Sequence, residues 1–175
     1  YWSQCVEHAQ AFNLQEWFKT YSVNVGEQSL TVKSLPGVFS HGEFDIGSKL
    51  LLDTLPSLNG KVLDFGCGAG VISCVIGKRF SEATLSLLDV SALALTSAQE
   101  SLNINGLTGE VFASNSLSTV TEKYQYVVSN PPFHQGVKTH YAATEYFLAN
   151  IKKHMNKHAV LTIVANSFLK YQSII

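Results

Sequence analysis

Lys61 to Phe65 is a short apolar run that breaks into Gly66-Cys67-Gly68-Ala69-Gly70 and then resumes with the spacing of a helix. Without Cβ atoms the backbone can turn sharply there and press against a ligand, while the start of the next helix offers N–H donors. A strand that ends in such a turn and feeds a helix is the first unit of a doubly wound sheet, in which ligands lie at the carboxyl ends of the strands. The rest of the chain agrees with this. Thr84 to Leu88, Glu110 to Ala113, Tyr124 to Ser129 and Ala159 to Val164 read as further short β-rich runs separated by helical stretches. The clearest helix runs from Ser91 to Ile104, with Ser91 as N-cap and Asn105-Gly106 supplying left-handed conformations at its end. The predicted fold is α/β, a mainly parallel sheet flanked by helices.

Upstream, Val6, Ala9, Phe12 and Phe18 recur at helical intervals between Trp2 and Lys19, predicting an amphipathic lead-in helix. Tyr21 to Val25 and Ser29 to Lys33 alternate apolar and polar residues around Gly26-Glu27-Gln28, the pattern of a small hairpin set before the main sheet. Asp45 stands where an N-cap should, ahead of Ile46, Leu50, Leu51 and Leu55, and Pro56 closes that segment. Residues 1–40 are thus read as an N-terminal helix and hairpin appendage or linker, and residues 41–175 as one main domain.

Five residues narrow the ligand. Dinucleotide folds need G-x-G-x-x-G, but the third position beyond Gly68 is Val71, too bulky for the close helix packing that NAD sites require. Asp64 would repel a pyrophosphate yet can accept a hydrogen bond from a cationic amino group such as methionine's ammonium. Asp89 closes the second strand, where an acid receives ribose hydroxyls in this class of fold. Ser114 and Asn115 end the third strand, and Asn115 is placed near an adenine amino group.

Asn130-Pro131-Pro132-Phe133 breaks off the end of the fourth strand. Two prolines fix φ and remove two N–H donors, so the Pro131 carbonyl can accept from a ligand without local competition. The Asn130 side-chain carbonyl makes a second acceptor, and together the pair can receive both hydrogens of a planar –NH₂ group. Phe133 offers a flat face on which a base can stack. An amino group conjugated to a ring is a poor nucleophile, and two acceptors draw it towards sp³ geometry so that it can attack the methyl of a sulfonium in line. The proton leaves afterwards, so no general base is required, and rate comes from positioning and electrostatic preorganisation. His134 is accordingly read as a loop residue that contacts substrate.

Together these residues resemble the class I S-adenosylmethionine-dependent methyltransferases of the "small" subfamily, and most closely the bacterial small-subunit ribosomal RNA guanine-N2 methyltransferases. The resemblance rests on Pro36-Gly37-Val38-Phe39-Ser40, Asp45-Ile46-Gly47-Ser48, the Gly66 to Gly70 loop, Phe112-Ala113-Ser114-Asn115, Ser129-Asn130-Pro131-Pro132-Phe133-His134 and Ile163-Val164-Ala165-Asn166, and runs from about Tyr21 to the end. It implies a Rossmann-like fold and a guanine amino group of small-subunit rRNA as substrate. Asn130, Pro131, Pro132 and Phe133 would form the catalytic clamp. S-adenosylmethionine would be held by Asp64, Gly66, Cys67, Gly68, Gly70, Asp89, Ser114, Asn115 and Asn130. It also implies a preceding methyltransferase-like domain that assists RNA docking, and two strands beyond the fifth. The chain is therefore read as truncated after Ala159 to Val164, which would leave that strand as an edge. Related enzymes commonly carry a Gly-Gly turn where this sequence has Lys157-His158.

Composition bounds the partners. Net charge is -1 and only 14% of residues are charged, so RNA affinity must come from a local patch or another domain. Lys152, Lys153, His154, Lys157 and His158 form one basic cluster, more simply a solvated helix end favoured by the helix dipole than a phosphate site. Cys5, Cys67 and Cys74 lack paired CxxC spacing, which fits a reducing cytoplasm and no bound metal. No apolar run approaches membrane-spanning length, so no membrane partner is expected. Two other readings share the same residues. A protein glutamine amide would fit the Asn-Pro-Pro clamp, and a catalytically silent cofactor- or RNA-binding module would keep the loop.

Overall fold

Strands and helices alternate after Gly60 except between Ala113 and Tyr124, where turns stand in place of the expected helix. Ser91 caps the helix that follows it, whereas the helix that starts at Val71 has no side-chain cap. The computed structural model describes residues 11–26, 28–131 and 138–165. In chain order the elements are β1 (Lys19–Val25), β2 (Gln28–Ser34), α1 (Ile46–Thr54), β3 (Gly60–Phe65), α2 (Val71–Arg79), β4 (Ala83–Asp89), α3 (Ala92–Ile104), β5 (Glu110–Ala113), β6 (Tyr124–Ser129), α4 (Lys138–Asn150) and β7 (Met155–Ile163). Among the described residues the main sheet has the order β5-β4-β3-β6-β7, with every neighbouring pair parallel. The chain winds outward from β3 through β4 to β5, then returns to the other side of β3 for β6 and β7. The direction reverses between β3 and β6, and such a switch point opens a crevice at the carboxyl ends of the two strands.

Alternation along each strand sorts the core into two layers. Val62, Leu85, Leu87 and Val128 face one layer with Ile72, Val75 and Ala98, whereas Leu63, Phe65, Leu88 and Val127 face the other with Phe147, Leu148 and Ile151. Asp64 shares the parity of Val62, and its side chain therefore lies on the α2 side. Phe65 turns to the opposite side, where its ring stacks on Phe147 of α4 at 3.8 Å between centroids.

The hairpin forms as expected, with register from Lys19↔Ser34 to Val25↔Gln28. It remains a separate two-stranded sheet, but its apolar face belongs to the main core through Val23, Val25, Leu30 and Val32. Its free edge meets α3 side chains in a regular match. Thr31 N donates to Asn105 Oδ1 at 3.1 Å, Lys33 N to Ser101 Oγ at 3.1 Å, and Leu35 N to Ser97 Oγ at 3.0 Å. Four helical residues rise about 6.0 Å and two strand residues about 6.7 Å, so a polar stripe at every fourth helix position can stand in for a partner strand.

The lead-in helix is not what forms over its described part. Leu14–Trp17 is one 3-10 turn capped by Asn13, and Lys19 already belongs to β1. Phe12 and Trp17 lie against each other, 6.3 Å between ring centroids, yet stay 74% and 56% exposed, so among the described residues the periodic pattern lacks the core packing that would sustain a helix. Residues 1–10 of that expectation lie outside the described residues.

β7 starts earlier than Ala159 because it carries an irregularity. Its pairing steps from Tyr124↔Met155 to Tyr126↔Val160, and within the extra loop of strand His158 adopts φ +63°. The Lys157-His158 pair thus supplies a left-handed position that glycine would fill without strain. As the last strand in order, β7 is an edge among the described residues, with Val160 41% exposed. No helix of the described residues is long and apolar enough to cross a membrane.

Candidate active site

The loop after β3 takes its shape from glycine. Gly66, Gly68 and Gly70 all have positive φ, 69°, 54° and 76°, a region that other residues enter only with strain. At Gly66 and Gly68 an added Cβ would meet nothing within 4 Å, so these two turn bare backbone to open space. At Gly70 it would lie 3.1 Å from the Ala98 backbone, and glycine at this position serves the close packing of α2 on α3. The N–H groups of Gly66 and Cys67 donate to Leu88 O at 2.9 and 3.0 Å, which ties the loop to the end of β4.

Asp89 continues that tie. Gly68 N donates to its Oδ2 at 3.0 Å and Ser91 N to its Oδ1 at 2.9 Å, so each oxygen has one fixed partner and lone-pair capacity to spare. The residue therefore both shapes the entry to α3 and presents an oriented carboxylate. Ser114 is buried, with Oγ accepting from Thr119 N at 3.3 Å, and Asn115 beside it is exposed.

The turn after β6 lies directly across the switch point. Asp64 pairs with Val128, and Ser129 Oγ donates to Phe65 O at 2.8 Å, so the glycine loop and Asn130 leave adjacent strand ends. Asn130 Nδ2 donates to Asp45 Oδ2 at 2.7 Å and to Ser48 Oγ at 3.0 Å. Both residues belong to the start of α1, where Asp45 is the N-cap and accepts from Ser48 N at 2.7 Å.

A cavity of about 660 Å³ joins these parts. Gly66, Cys67, Gly68, Asp89, Ser114, Asn115, Asn130, Pro131 and Phe39 all line it, with Asp45 and Val164 at the Asn130 end. Its size is within the range of small-molecule binding sites. The glycine loop and the Asn-Pro turn, far apart in sequence, therefore share one crevice. Gly70 does not line the cavity, because its role is the contact with Ala98.

Asp64 also departs from the expected placement. It is fully buried and absent from the cavity lining, since strand alternation sends it towards α2. Ser73 Oγ donates to its Oδ2 at 2.7 Å, while Oδ1 is buried without a partner among the described residues. Burial raises its carboxyl to about 7, against the lowering effect of the Ser73 hydrogen bonds and with a smaller upward push from Asp89. Burial likewise raises the Cys67 thiol well above its usual range, so this lining residue acts as a neutral, apolar wall.

Pro132, Phe133, His134 and Asn166 lie outside the described residues. The basic cluster is found at the wrong end of the sheet for the site: Lys152 and Lys153 precede β7, whereas the cavity opens at the carboxyl ends. Asp45 and Ser48 reach the Asn130 side chain, a pairing that no spacing or composition in the chain foreshadows. Their segment stands out in sequence only through its place in the family resemblance.

Comparison with known proteins identifies the family. The family model described as methyltransferase small domain matches residues 29–175. The ribosomal RNA small subunit methyltransferase C of Colwellia psychrerythraea is 68% identical over 167 residues, covering 95% of this chain and 47% of that protein. Its namesake from Vibrio parahaemolyticus is 55% identical over 175 residues, 100% of this chain and 51% of the relative. Among solved structures, a T. thermophilus 16S rRNA N2 methyltransferase in complex with AdoMet and guanosine superposes with a TM-score of 0.83 at 25% identity, covering 96% of this chain and 47% of its own. A ribosomal protein L11 methylase from Lactobacillus delbrueckii shares the fold, with a TM-score of 0.59 at 16% identity and 82% and 79% coverage. The chain spans about half the length of the curated relatives it matches. With a Rossmann-like sheet, a glycine loop facing an Asn-Pro turn, and a family match over most of its length, this chain belongs to the methyltransferase small domain family.

Proposed function

We propose that this protein transfers a methyl group from S-adenosylmethionine to the exocyclic amino group of a guanine in small-subunit ribosomal RNA. The observation that carries the reading is the orientation of Asn130. Its NH₂ group is held by Asp45 and Ser48, which leaves the side-chain carbonyl as an acceptor on a residue lining the same cavity as the glycine loop. An acceptor at that point suits a ligand that brings N–H donors, as an amino group does.

The donor set suits the cofactor. Bare backbone at Gly66 and Gly68 can be approached closely, and Asp89 has lone pairs left for two ribose hydroxyls. Asn115 can meet the adenine amino group. Oδ1 of Asp64, buried behind the cavity wall and without a partner among the described residues, would reach the cofactor's amino group only through a bridging water. When bound, S-adenosylmethionine supplies an electrophilic methyl on a positively charged sulfur. Asn130 and Pro131 would then hold both amino hydrogens of the guanine and aim its lone pair along the line of attack. Pro132 and Phe133 would stiffen the turn and stack on the base. The displaced proton leaves to solvent once the nitrogen has become acidic, so these residues orient and need not abstract.

The solved relative bound to AdoMet and guanosine, and the names of the close relatives, support the choice of guanine and of 16S rRNA. Such a substrate implies a cytoplasmic protein. With a net charge of -1, much of the RNA affinity would be contributed by the part of such proteins that this chain does not span.

The test is to incubate the protein with small ribosomal subunits and methyl-labelled S-adenosylmethionine, then digest the RNA to nucleosides. Label should co-migrate with N2-methylguanosine. Label in another nucleoside, or in a protein glutamine, would overturn the assignment of substrate.

A further inference from the structure

We infer that Asp45 and Ser48 are positioning residues that lock the Asn130 amide in its acceptor-forward orientation, and that Gly47 is glycine so that this lock can close. The inference rests on the proposed amino-group methyl transfer for its functional meaning, but the lock itself involves only three side chains.

An asparagine amide can rotate by half a turn and exchange its oxygen for its NH₂ group with little change in shape. In one orientation Asn130 offers an acceptor to a substrate amino group. In the other it offers a second donor, and two donors facing one another repel. The surroundings of Asn130 decide between them. A carboxylate can only accept, so Asp45 Oδ2 at 2.7 Å compels the NH₂ group to face it. Ser48 Oγ at 3.0 Å accepts the other hydrogen. Both N–H bonds are used, and the carbonyl is what remains.

The partners are themselves held. Asp45 Oδ2 also accepts from Ser48 N at 2.7 Å as the N-cap of α1, so one oxygen fixes the helix start and the amide together. Capping α1 asks nothing of a residue 85 positions away, and the bond to Asn130 is therefore additional to the cap. Space is tight around it. A Cβ at residue 47 would lie 3.0 Å from Asp45 Oδ2, 3.1 Å from Val164 Cγ1 and 3.4 Å from Asn130 Nδ2. Gly47 does not need glycine for its backbone, since it lies in α1 without a positive φ. Glycine is unfavourable inside a helix, so its presence there is explained by the three groups that converge on its bare face.

Asp45→Ser separates the two roles, because serine caps helices about as well as aspartate but is too short to hold Asn130. Three measurements are made on Asp45→Ser and Gly47→Ala: methyl transfer to small ribosomal subunits, S-adenosylmethionine affinity, and the side-chain amide signals of Asn130 in a ¹H–¹⁵N spectrum. We expect kcat to fall about 10- to 100-fold in Asp45→Ser, as for other residues that orient a reacting group. Thermal stability and cofactor affinity should stay near wild type. In an Asn130→Ala background the same substitution should cause no further loss, since Asp45 acts through the amide. The Asn130 amide protons should be shifted and protected from exchange in the wild type and lose both properties in Asp45→Ser. Gly47→Ala should disturb the same signals without loss of helix stability. Equal loss of kcat with and without Asn130, or amide signals indifferent to Asp45→Ser, would overturn the inference. If Asn130→Ala transferred methyl at the wild-type rate, the proposed function of the amide would fall instead, and the amide signals would still decide whether the lock exists.

Discussion

Burial places Asp64 in an unusual position, with its carboxyl raised to about 7 and one oxygen lacking a partner among the described residues. A carboxyl whose folded value lies above its unfolded one binds its proton more tightly in the native state. Its contribution to stability is full below about pH 4 and is lost as pH rises towards 7. Chemical denaturation of the cofactor-free protein between pH 4 and 7, compared with Asp64→Asn, should show a decline on the order of a few kcal/mol that the variant lacks. Equal pH slopes in the two proteins would mean that the decline arises from some group other than Asp64. The sequence revealed that an acid stands at the strand end, and the spacing of Asp89 and the Asn-Pro turn was equally legible. Two things were not. Strand parity sends Asp64 behind the cavity wall, and the bond of Asp45 to Asn130 was hidden because that partner is remote in the chain, although Asp45 was legible as a cap and as part of a family motif.

Among the elements, α3 does more than cover the sheet. Ser97, Ser101 and Asn105 look in sequence like an ordinary polar stripe, yet they satisfy the backbone of β2 and the residue after it. Ser101 Oγ accepts from Lys33 N and donates to Lys33 O, so Ser101→Ala leaves two backbone groups without their partner in a part-buried seam. The expected cost is about 1–3 kcal/mol in equilibrium unfolding, with faster hydrogen exchange confined to the hairpin. Exchange that quickens instead in the main sheet would argue against this coupling. β7 offers the opposite case, a position that should gain from substitution. His158 holds φ +63° and is exposed, so His158→Gly should relieve left-handed strain and raise the free energy of unfolding by about 0.5–1 kcal/mol after the entropy of glycine is deducted. The five main strands were legible because each is a bounded apolar run. Over its described residues, 11–19, the lead-in helix was misread because periodicity marks a helix only where another surface waits to bury its apolar face.

For the whole molecule, the order β5-β4-β3-β6-β7 is what gives the site its meaning, since the reversal beside β3 brings two loops separated by about sixty residues of chain to one crevice. Alternating strands and helices predicted a parallel sheet, and placing both motifs at strand ends predicted that they would meet. The lining contributed by α1 was not predicted, because a helix between the hairpin and β3 has no marked position in such a sheet. The central proposal is that the Asn130 carbonyl acts on the methyl acceptor, whatever further contact Asn130 makes with the cofactor. It is tested most directly by Asn130→Ala, with methyl transfer and S-adenosylmethionine affinity measured on the same preparation. We predict that kcat falls about 10²- to 10³-fold, as when a preorganised hydrogen-bonding group is removed from an active site, while cofactor affinity stays within a few-fold of wild type. Transfer at the wild-type rate, or a loss explained wholly by weaker cofactor binding, would contradict it.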